Sequence, residues 1–222
     1  MKKKHLEIIL DNLDPHPNPK PHLEQYTIGG KLASELLFFA GEDIKGNFVV
    51  DLGCGTGRLS IGAKLLGAGK VLGVDIDREA VECAKGNLRK LERIPLVKSL
   101  DVDLEEVCKG VFFIDMDVKD IDDRDYIERF LEGDMRVVVI QNPPFGSQRK
   151  HADRIFLEKA LEIGDVVYTI HNSTTRDFVI KYIEEKGRSI THIFQSRFRI
   201  PKIFTFHSKR YVEIPVDIFR IE

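Results

Sequence analysis

The sequence predicts an α/β fold with seven strands in a mostly parallel sheet, helices on both faces and an antiparallel hairpin at the C-terminal edge. Short apolar runs alternate with amphipathic segments along most of the chain, which is typical of a parallel sheet covered by helices. The last two apolar runs have no helix between them, so we expect them to pair antiparallel. A length of 222 residues suits one α/β domain.

The elements follow in order from the apolar periodicity. Residues 5–13 are expected to form a helix, and residues 14–22, which contain four prolines, an extended arm. The segment 96–109 shows no pattern that assigns its structure. Strands are expected at 48–51, 71–75, 111–114, 137–140, 166–170, 190–199 and 211–221, and further helices at 28–40, 58–66, 78–92, 153–163 and 175–186. The chain 1–222 is then one domain, with an N-terminal helix and arm (1–27) before an α/β core (28–222).

Charge is unevenly distributed, although the net charge is only −2. Residues 101–134 contain thirteen acidic and four basic side chains, whereas residues 186–210 contain seven basic and no acidic ones. A basic flank of this kind can bind a polyanion despite the negative total. Both flanks could equally be ordinary solvated surfaces.

The three cysteines, Cys54, Cys83 and Cys108, are widely spaced and contain no C-x-x-C pair. This pattern argues against a disulfide framework and against a structural zinc site within the chain, so no metal is expected. No apolar run approaches the ~18 residues of a membrane span, and no signal peptide is recognisable. A cytoplasmic protein without membrane contact is expected.

A glycine-rich turn, Asp51-Leu52-Gly53-Cys54-Gly55-Thr56-Gly57, joins the first strand to a helix. Glycines allow a tight turn and close approach of a ligand at the carboxyl end of a parallel strand. Asp75 ends the next strand, where a carboxylate can accept both hydroxyls of a ribose. A pyrophosphate would be repelled by Asp51, whereas an ammonium and a sulfonium would be attracted. The loop therefore favours S-adenosylmethionine over a dinucleotide.

A second motif, Asn142-Pro143-Pro144-Phe145, follows the fourth strand. Prolines stiffen the loop and leave its carbonyls free as acceptors. The Asn142 side-chain oxygen and the Pro143 carbonyl could accept both hydrogens of an exocyclic amine, and Phe145 could stack on a base. These four residues are the predicted catalytic residues for methylation of an amino nitrogen. A Pro-Pro pair that simply ends a strand is the structural alternative.

The two motifs together resemble the class I S-adenosylmethionine-dependent amino-methyltransferases, which have a Rossmann-like fold. The likeness extends over nearly the whole chain to the archaeal and eukaryotic small-subunit ribosomal RNA adenine-N6 methyltransferases. It is carried by Leu23-Glu24-Gln25-Tyr26, Asp51 to Gly57 with Leu59-Ser60-Ile61-Gly62, Asp75-Ile76-Asp77, Asn142 to Gly146, and Phe206-His207-x-Lys209. One departure is Thr27, which stands a place earlier than the family's threonine and leaves Ile28 there.

This resemblance implies roles for individual residues. Gln25 and Ile28 would line the cofactor, Asp75 would bind its ribose, and Asp117 with Val118 would contact its adenine, with Asp115 as the rival acid. The complete implied cofactor set is Gln25, Ile28, Asp51, Gly53, Gly55, Thr56, Arg58, Asp75, Asp117 and Val118, in which Gly53, Thr56 and Arg58 hold the methionine end. The resemblance also implies a small zinc-binding activator subunit as a partner.

The substrate side is expected to bind RNA. Cations and aromatic residues alternate between Arg197 and Arg210, which suits phosphates and bases, although a hairpin with a buried aromatic face explains Phe194, Phe198 and Phe204 equally well. The predicted substrate-binding residues are Phe145, Arg149, Lys150, His207 and Lys209, with His171 and Asn172 close by. Two other functions stay open: methylation of a glutamine amide in a translation factor, where a tyrosine is usual at 145, and a non-catalytic RNA-binding module.

Overall fold

The computed structural model of the protein describes residues 1–121, 123–146, 152–201 and 211–222. Its centre is one seven-stranded sheet in the order β3-β2-β1-β4-β5-β7-β6. The strands are β1 (Phe48–Leu52), β2 (Lys70–Asp75), β3 (Val111–Asp115), β4 (Val137–Gln141), β5 (Val166–Asn172), β6 (Ile190–Pro201) and β7 (Tyr211–Ile221). The first five strands are parallel to one another, and β7 is antiparallel to both β5 and β6. The predicted fold class is therefore confirmed.

Helices cover the sheet, and most begin and end close to the predicted positions. In the described residues they are α1 (Lys3–Asp11), α2 (Gly30–Phe39), α3 (Gly41–Ile44), α4 (Arg58–Leu65), α5 (Arg78–Lys90), α6 (Pro95–Ser99), α7 (Leu104–Lys109), α8 (Asp123–Glu128), α9 (Ala152–Ile163) and α10 (Arg176–Glu185). No helix in these residues is both long and apolar enough to cross a bilayer.

The central strands are buried on both faces, and their side chains divide between two apolar layers. Val49 belongs to the layer with α1, α2 and α4, whereas the next residue, Val50, belongs to the layer with α9 and α10. Successive side chains of a strand point to opposite faces, so a strand between two helical layers must be apolar at every position. The continuous run Phe48-Val49-Val50 has this property, which explains its unbroken burial.

Short elements are where the sequence prediction was incomplete. The segment 96–109 contains α6 and α7, two helices of five and six residues, too short to show a period. The arm predicted as extended over 14–22 ends in a single 3-10 turn at Pro21–Leu23. Pro21 opens this turn, because a proline at the first position loses no required N–H.

Candidate active site

A cavity of about 310 Å³ lies at the carboxyl ends of β1, β2, β3 and β4. Parallel α/β sheets bind ligands at this edge, where the strand order changes direction; here the change falls between β1 and β4. All ten residues of the predicted cofactor set line the cavity, together with Asn142 and Pro144. The fold thus brings the glycine loop and the Asn-Pro-Pro-Phe motif to one place.

The glycine loop fits its surroundings only with glycine at two positions. Gly53 has a φ of 70°, and a Cβ there would lie 2.9 Å from the ring of Phe156. Gly57 has a φ of 80°, and a Cβ would lie 2.8 Å from the ring of Phe113. Both glycines therefore provide left-handed backbone and space at once, and they let α4 begin directly behind the loop.

Asp51 lines the cavity and has one carboxylate oxygen without a partner in the described residues. Its Oδ2 accepts hydrogen bonds from the amide and hydroxyl of Ser60, at 2.9 and 2.5 Å. Its Oδ1 is buried and has no hydrogen-bond partner among the described residues. Burial raises the pKa of Asp51 to about 7, against the opposing effect of the Ser60 bonds. An unpartnered buried acceptor is costly, and the ammonium of S-adenosylmethionine would satisfy it.

Asp75 holds two loops together at the end of β2. Its Oδ2 accepts the amide of Gly55 at 2.8 Å, and its Oδ1 accepts the amide of Asp77 at 2.9 Å. Burial raises the pKa of this carboxyl group. Each oxygen has a second lone pair, so acceptance of two ribose hydroxyls remains compatible with these internal bonds.

The end of β3 separates the two rival acids. Asp117 lines the cavity with Val118 and Lys119, whereas Asp115 is exposed and is not part of the lining. The Oδ1 of Asp117 accepts the Lys119 amide at 3.0 Å and caps a 3-10 turn. This placement favours Asp117 over Asp115 as the cofactor contact.

The N-terminal arm (residues 14–27) closes one side of the cavity and is fastened at Asp77. The carboxylate of Asp77 meets His16 Nε2 at 3.2 Å, Lys20 Nζ at 2.9 Å and Gln25 Nε2 at 2.8 Å. Although burial opposes it, the bonds from Gln25 and Lys20 lower the pKa of Asp77 to about 2. Asp77 also caps α5 through the Glu79 amide. No sequence pattern predicted that Asp77, Lys20 and His16 fasten the arm.

Gln25 and Arg58, two residues of the predicted cofactor set, use most of their side-chain polar groups in hydrogen bonds within the chain. Gln25 donates to Asp77 and accepts the Lys20 amide at 2.7 Å. Arg58 donates to the carbonyls of Leu13 and Ile28, both at 2.9 Å, which are the residues flanking the arm. Arg58 therefore fixes the ends of the arm, and its buried Nε–H has no partner in the described residues.

The Asn142 side chain carries a hydrogen-bond acceptor that the described residues themselves do not use. Its Oδ1 is buried at the cavity and has no hydrogen-bond partner within the described part of the chain. Pro144 also lines the cavity, whereas Pro143 is buried and Phe145 is half-buried outside the lining. Phe145 packs edge-on against Phe198, with ring centroids 5.8 Å apart.

A buried polar chain supports the strand that leads to Asn142. Gln141 Nε2 donates to Thr169 Oγ1 at 3.0 Å, which in turn meets His171 Nε2 at 2.9 Å. Burial lowers the pKa of His171 to about 4, so the ring is neutral near pH 7. His171 was expected near the substrate; instead its side chain lies inside the sheet and outside the cavity lining.

The remaining substrate predictions divide by location. Asn172 caps a 3-10 turn through the Thr174 amide. Phe198 is buried and Phe194 is 39% exposed, so the interpretation as a buried aromatic face fits Phe198. Arg149, Lys150, Phe204, His207 and Lys209 lie outside the described residues.

Comparison with known families first identifies the cofactor side. The family model for ribosomal protein L11 methyltransferase (PrmA) matches residues 36–109, less than half of the chain. This segment runs from α2 to α7 and contains the glycine loop, Asp75 and Asp77. It ends before β4 and the Asn142 motif, so it carries no information on the acceptor.

Several proteins are similar to this chain over its full length, among them the following three. The Methanocaldococcus jannaschii protein MJ0284 is 58% identical over 100% of this chain and 94% of its own length. A Pyrococcus horikoshii protein of known crystal structure, described as a candidate RNA methyltransferase, is 41% identical with a TM-score of 0.81, over 100% of this chain and 98% of its own. The zebrafish (Danio rerio) rRNA N(6)-adenosine-methyltransferase METTL5 is 34% identical over 99% of this chain and 98% of its length. With the loop, the Asn-Pro-Pro-Phe motif and the fold all in place, this chain belongs to the METTL5 family of rRNA N6-adenosine-methyltransferases.

Proposed function

We propose that the protein transfers a methyl group from S-adenosylmethionine to the N6 amino group of an adenine in small-subunit ribosomal RNA. The observation that carries the proposal is the Oδ1 atom of Asn142, a buried acceptor without a partner in the described residues. Asn142 lines the same cavity as Asp51 and Asp75. A free acceptor beside a cofactor site fits a substrate that arrives with N–H donors.

The cavity residues fit the methyl donor in charge and shape. The free Oδ1 of Asp51 suits an ammonium, and the Nε of Arg58 suits a carboxylate. Asp75 suits the ribose hydroxyls, and the buried Val118 provides an apolar wall for an adenine ring. S-adenosylmethionine supplies a methyl group on a cationic sulfur, so the protein needs no strong base.

The acceptor loop (Asn142 to Phe145) would make the adenine amino group a better nucleophile. The lone pair of an adenine amino group is delocalised into the ring, which makes the nitrogen a weak nucleophile. Asn142 Oδ1 and the Pro143 carbonyl would accept its two hydrogens and favour a tetrahedral nitrogen with an available lone pair. Catalysis then depends on alignment and on fixed dipoles. The target adenine must be single-stranded or flipped out.

The long hairpin of β6 and β7 supports RNA as the substrate. Phe198 of β6 contacts Phe145, so this hairpin lies beside the acceptor loop. Arg199 lies over the ring of Tyr211 at 3.8 Å, and Arg197 is exposed. A cation stacked on an aromatic ring next to the site suits phosphates and unpaired bases.

A small zinc-binding activator subunit and a cytoplasmic location belong to the same proposal. The partner rests on the family resemblance and on the outer strands of the sheet, where Phe112 of β3 and Phe194 of β6 are each 39% exposed. All three cysteines are free, which suits a reducing compartment. In the described residues no group of three His, Cys, Asp or Glu side chains could hold a metal. The family resemblance assigns the zinc to the partner.

The test is incubation with S-adenosylmethionine labelled in the methyl group and deproteinised small-subunit RNA, with and without the candidate partner. We expect labelled N6-methyladenine at one position, found by nucleoside analysis and site mapping. An Asn142→Ala variant serves as the inactive control and Asn12→Ala, an exposed asparagine, as the matched active control. Absence of N6-methyladenine from the wild type under both conditions would refute the proposal. Label in a protein glutamine would favour the alternative amide substrate.

A further inference from the structure

Glu24 of the arm contacts the catalytic motif directly. Its Oε2 accepts a hydrogen bond from the Phe145 amide at 2.9 Å, across 121 residues of sequence. The side chain is buried, with 8% exposure. Its backbone is left-handed, with φ 51° and ψ 40°, and no other non-glycine residue of the described chain has a positive φ. Such strained positions concentrate at functional sites.

The Phe145 amide is well placed to fix the position of the acceptor loop, because the two residues that precede it are prolines. Pro143 and Pro144 have no N–H, so Phe145 provides the first main-chain donor after Asn142. Glu24 accepts a hydrogen bond from this donor. Because Pro143 and Pro144 have a fixed φ, the two residues form a stiff connection that sets the distance from this hydrogen bond to Asn142. An acceptor at Glu24 therefore limits where the Asn142 oxygen and the Pro143 carbonyl can lie.

The neighbours of Glu24 belong to the cofactor side. Leu23 and Gln25 both line the cavity, and Gln25 is fastened to Asp77. Glu24 thus stands where a segment that covers the cofactor cavity meets the loop that receives the amine. When the arm becomes ordered, the hydrogen bond between Glu24 and the Phe145 amide would also order the acceptor loop.

We propose that Glu24 is a positioning residue that couples the cofactor-covering arm to the acceptor loop. It acts by holding Phe145, and through it Asn142, in the geometry that receives the amine. This inference rests on the proposed methyl transfer. In this role the Glu24 side chain needs an oxygen that accepts the Phe145 N–H, but it does not need a negative charge.

Two variants and a control separate positioning from folding. Glu24→Gly removes the acceptor and keeps the left-handed turn, which glycine adopts without steric cost. Glu24→Gln keeps an acceptor oxygen at the same reach and removes the charge. Glu42→Ala removes an exposed carboxylate of α3 and serves as the matched control. Circular dichroism checks that all three are folded.

We expect Glu24→Gly to lower kcat on RNA about 10- to 100-fold, because small displacements of reacting groups cost this much. The KM for S-adenosylmethionine should change less than about threefold, and Glu24→Gln should restore kcat to within about threefold of wild type. A wild-type kcat in Glu24→Gly, or equal losses in both Glu24 variants, would overturn the inference.

Amide hydrogen exchange gives a readout that does not depend on activity. In the wild type, addition of S-adenosylhomocysteine should slow exchange at the Phe145 amide, and in Glu24→Gly this amide should exchange faster and lose that response. An unchanged Phe145 exchange rate in Glu24→Gly would overturn the coupling. A wild type that shows the coupling but methylates no adenine would contradict the proposed function instead.

Discussion

Two sides of the cavity, the cofactor wall (the glycine loop with Asp75 and Asp77) and the acceptor wall (Gln141 to Phe145), differ in how the side chains at their strand ends hold the loops. On the cofactor wall, Asp75 receives two main-chain amides and Asp77 receives His16, Lys20 and Gln25 together with an α5 amide. On the acceptor wall, the Oδ1 of Asn142 and the Oε1 of the preceding Gln141 have no partner among the described residues. The carboxylates Asp75 and Asp77 therefore fix the loops of the cofactor wall, where the Oδ1 of Asp51 is also unpartnered, whereas on the acceptor wall the side-chain oxygen of the motif residue Asn142 itself has no partner among the described residues.

This difference agrees with the extent of the family likenesses. The segment shared with the ribosomal protein L11 methyltransferase model stops at residue 109, before the acceptor strand β4. A self-supporting cofactor wall can serve enzymes with different acceptors, because its hydrogen bonds involve only its own residues and the arm. We expect the features that distinguish this family to lie from β4 onward and at Glu24 of the arm, which contacts the loop after β4.

Asn142 gives the largest expected effect and tests the acceptor wall. Asn142→Ala should lower kcat on RNA by about 100- to 1000-fold, since one preorganised polar contact to the reacting group contributes this much. Cofactor affinity, measured by titration calorimetry with S-adenosylhomocysteine, should stay within about threefold of wild type. A parallel loss of cofactor affinity would show that the two walls are not separable.

Asp75 tests the cofactor wall in the same way. Asp75→Asn should weaken S-adenosylhomocysteine binding about 10- to 100-fold, because a charge-assisted hydrogen bond contributes about 1.5–3 kcal/mol. An amide also cannot accept both the Gly55 and Asp77 N–H groups, so the melting temperature should fall as well. Asp115→Asn, at the exposed end of the neighbouring strand, is the matched control and should bind as the wild type does.

Asp51 makes the cofactor wall sensitive to pH. Its pKa is raised to about 7 by burial, so below that pH the carboxyl group takes up a proton and no longer offers a negative charge. Cofactor affinity should therefore fall roughly tenfold per unit between about pH 7 and pH 5.5. Asp51→Asn should bind weakly with a flat profile over this range. A wild-type affinity that is constant over the same range would contradict this reading of Asp51.

Asp117 gives the smallest effect and sharpens the assignment at the end of β3. Asp117→Asn should weaken S-adenosylhomocysteine binding about 3- to 10-fold, as expected for one partly exposed hydrogen bond. The same exchange at Asp115 should leave affinity unchanged, since that side chain lies outside the cavity lining. The reverse order of effects would reassign the adenine contact to Asp115.

Much of the fold could be read from the sequence, because its information is local. The run Phe48-Val49-Val50 required burial on both faces, and Gly53 and Gly57 required left-handed backbone at a strand-to-helix turn. The helices α6 and α7 were not predicted, since five or six residues are too few for a helical period to show. The burial of His171 was not predicted, because it depends on β7 packing alongside β5, far away in sequence.

The sequence by itself determined the fold class, the two motifs and their chemistry, since glycine, proline and carboxylate properties belong to the residues. Only the tertiary structure decided which polar atoms have no hydrogen-bond partner within the chain. Asp51 and Asn142 each keep one buried oxygen without a partner in the described residues, whereas Gln25 and Arg58 are largely used within the chain. The contacts of Glu24 with Phe145 and of Gln25 with Asp77 join positions 121 and 52 residues apart. Hydrogen bonds between residues so far apart in sequence form only in the packed fold, so no local sequence pattern predicts them.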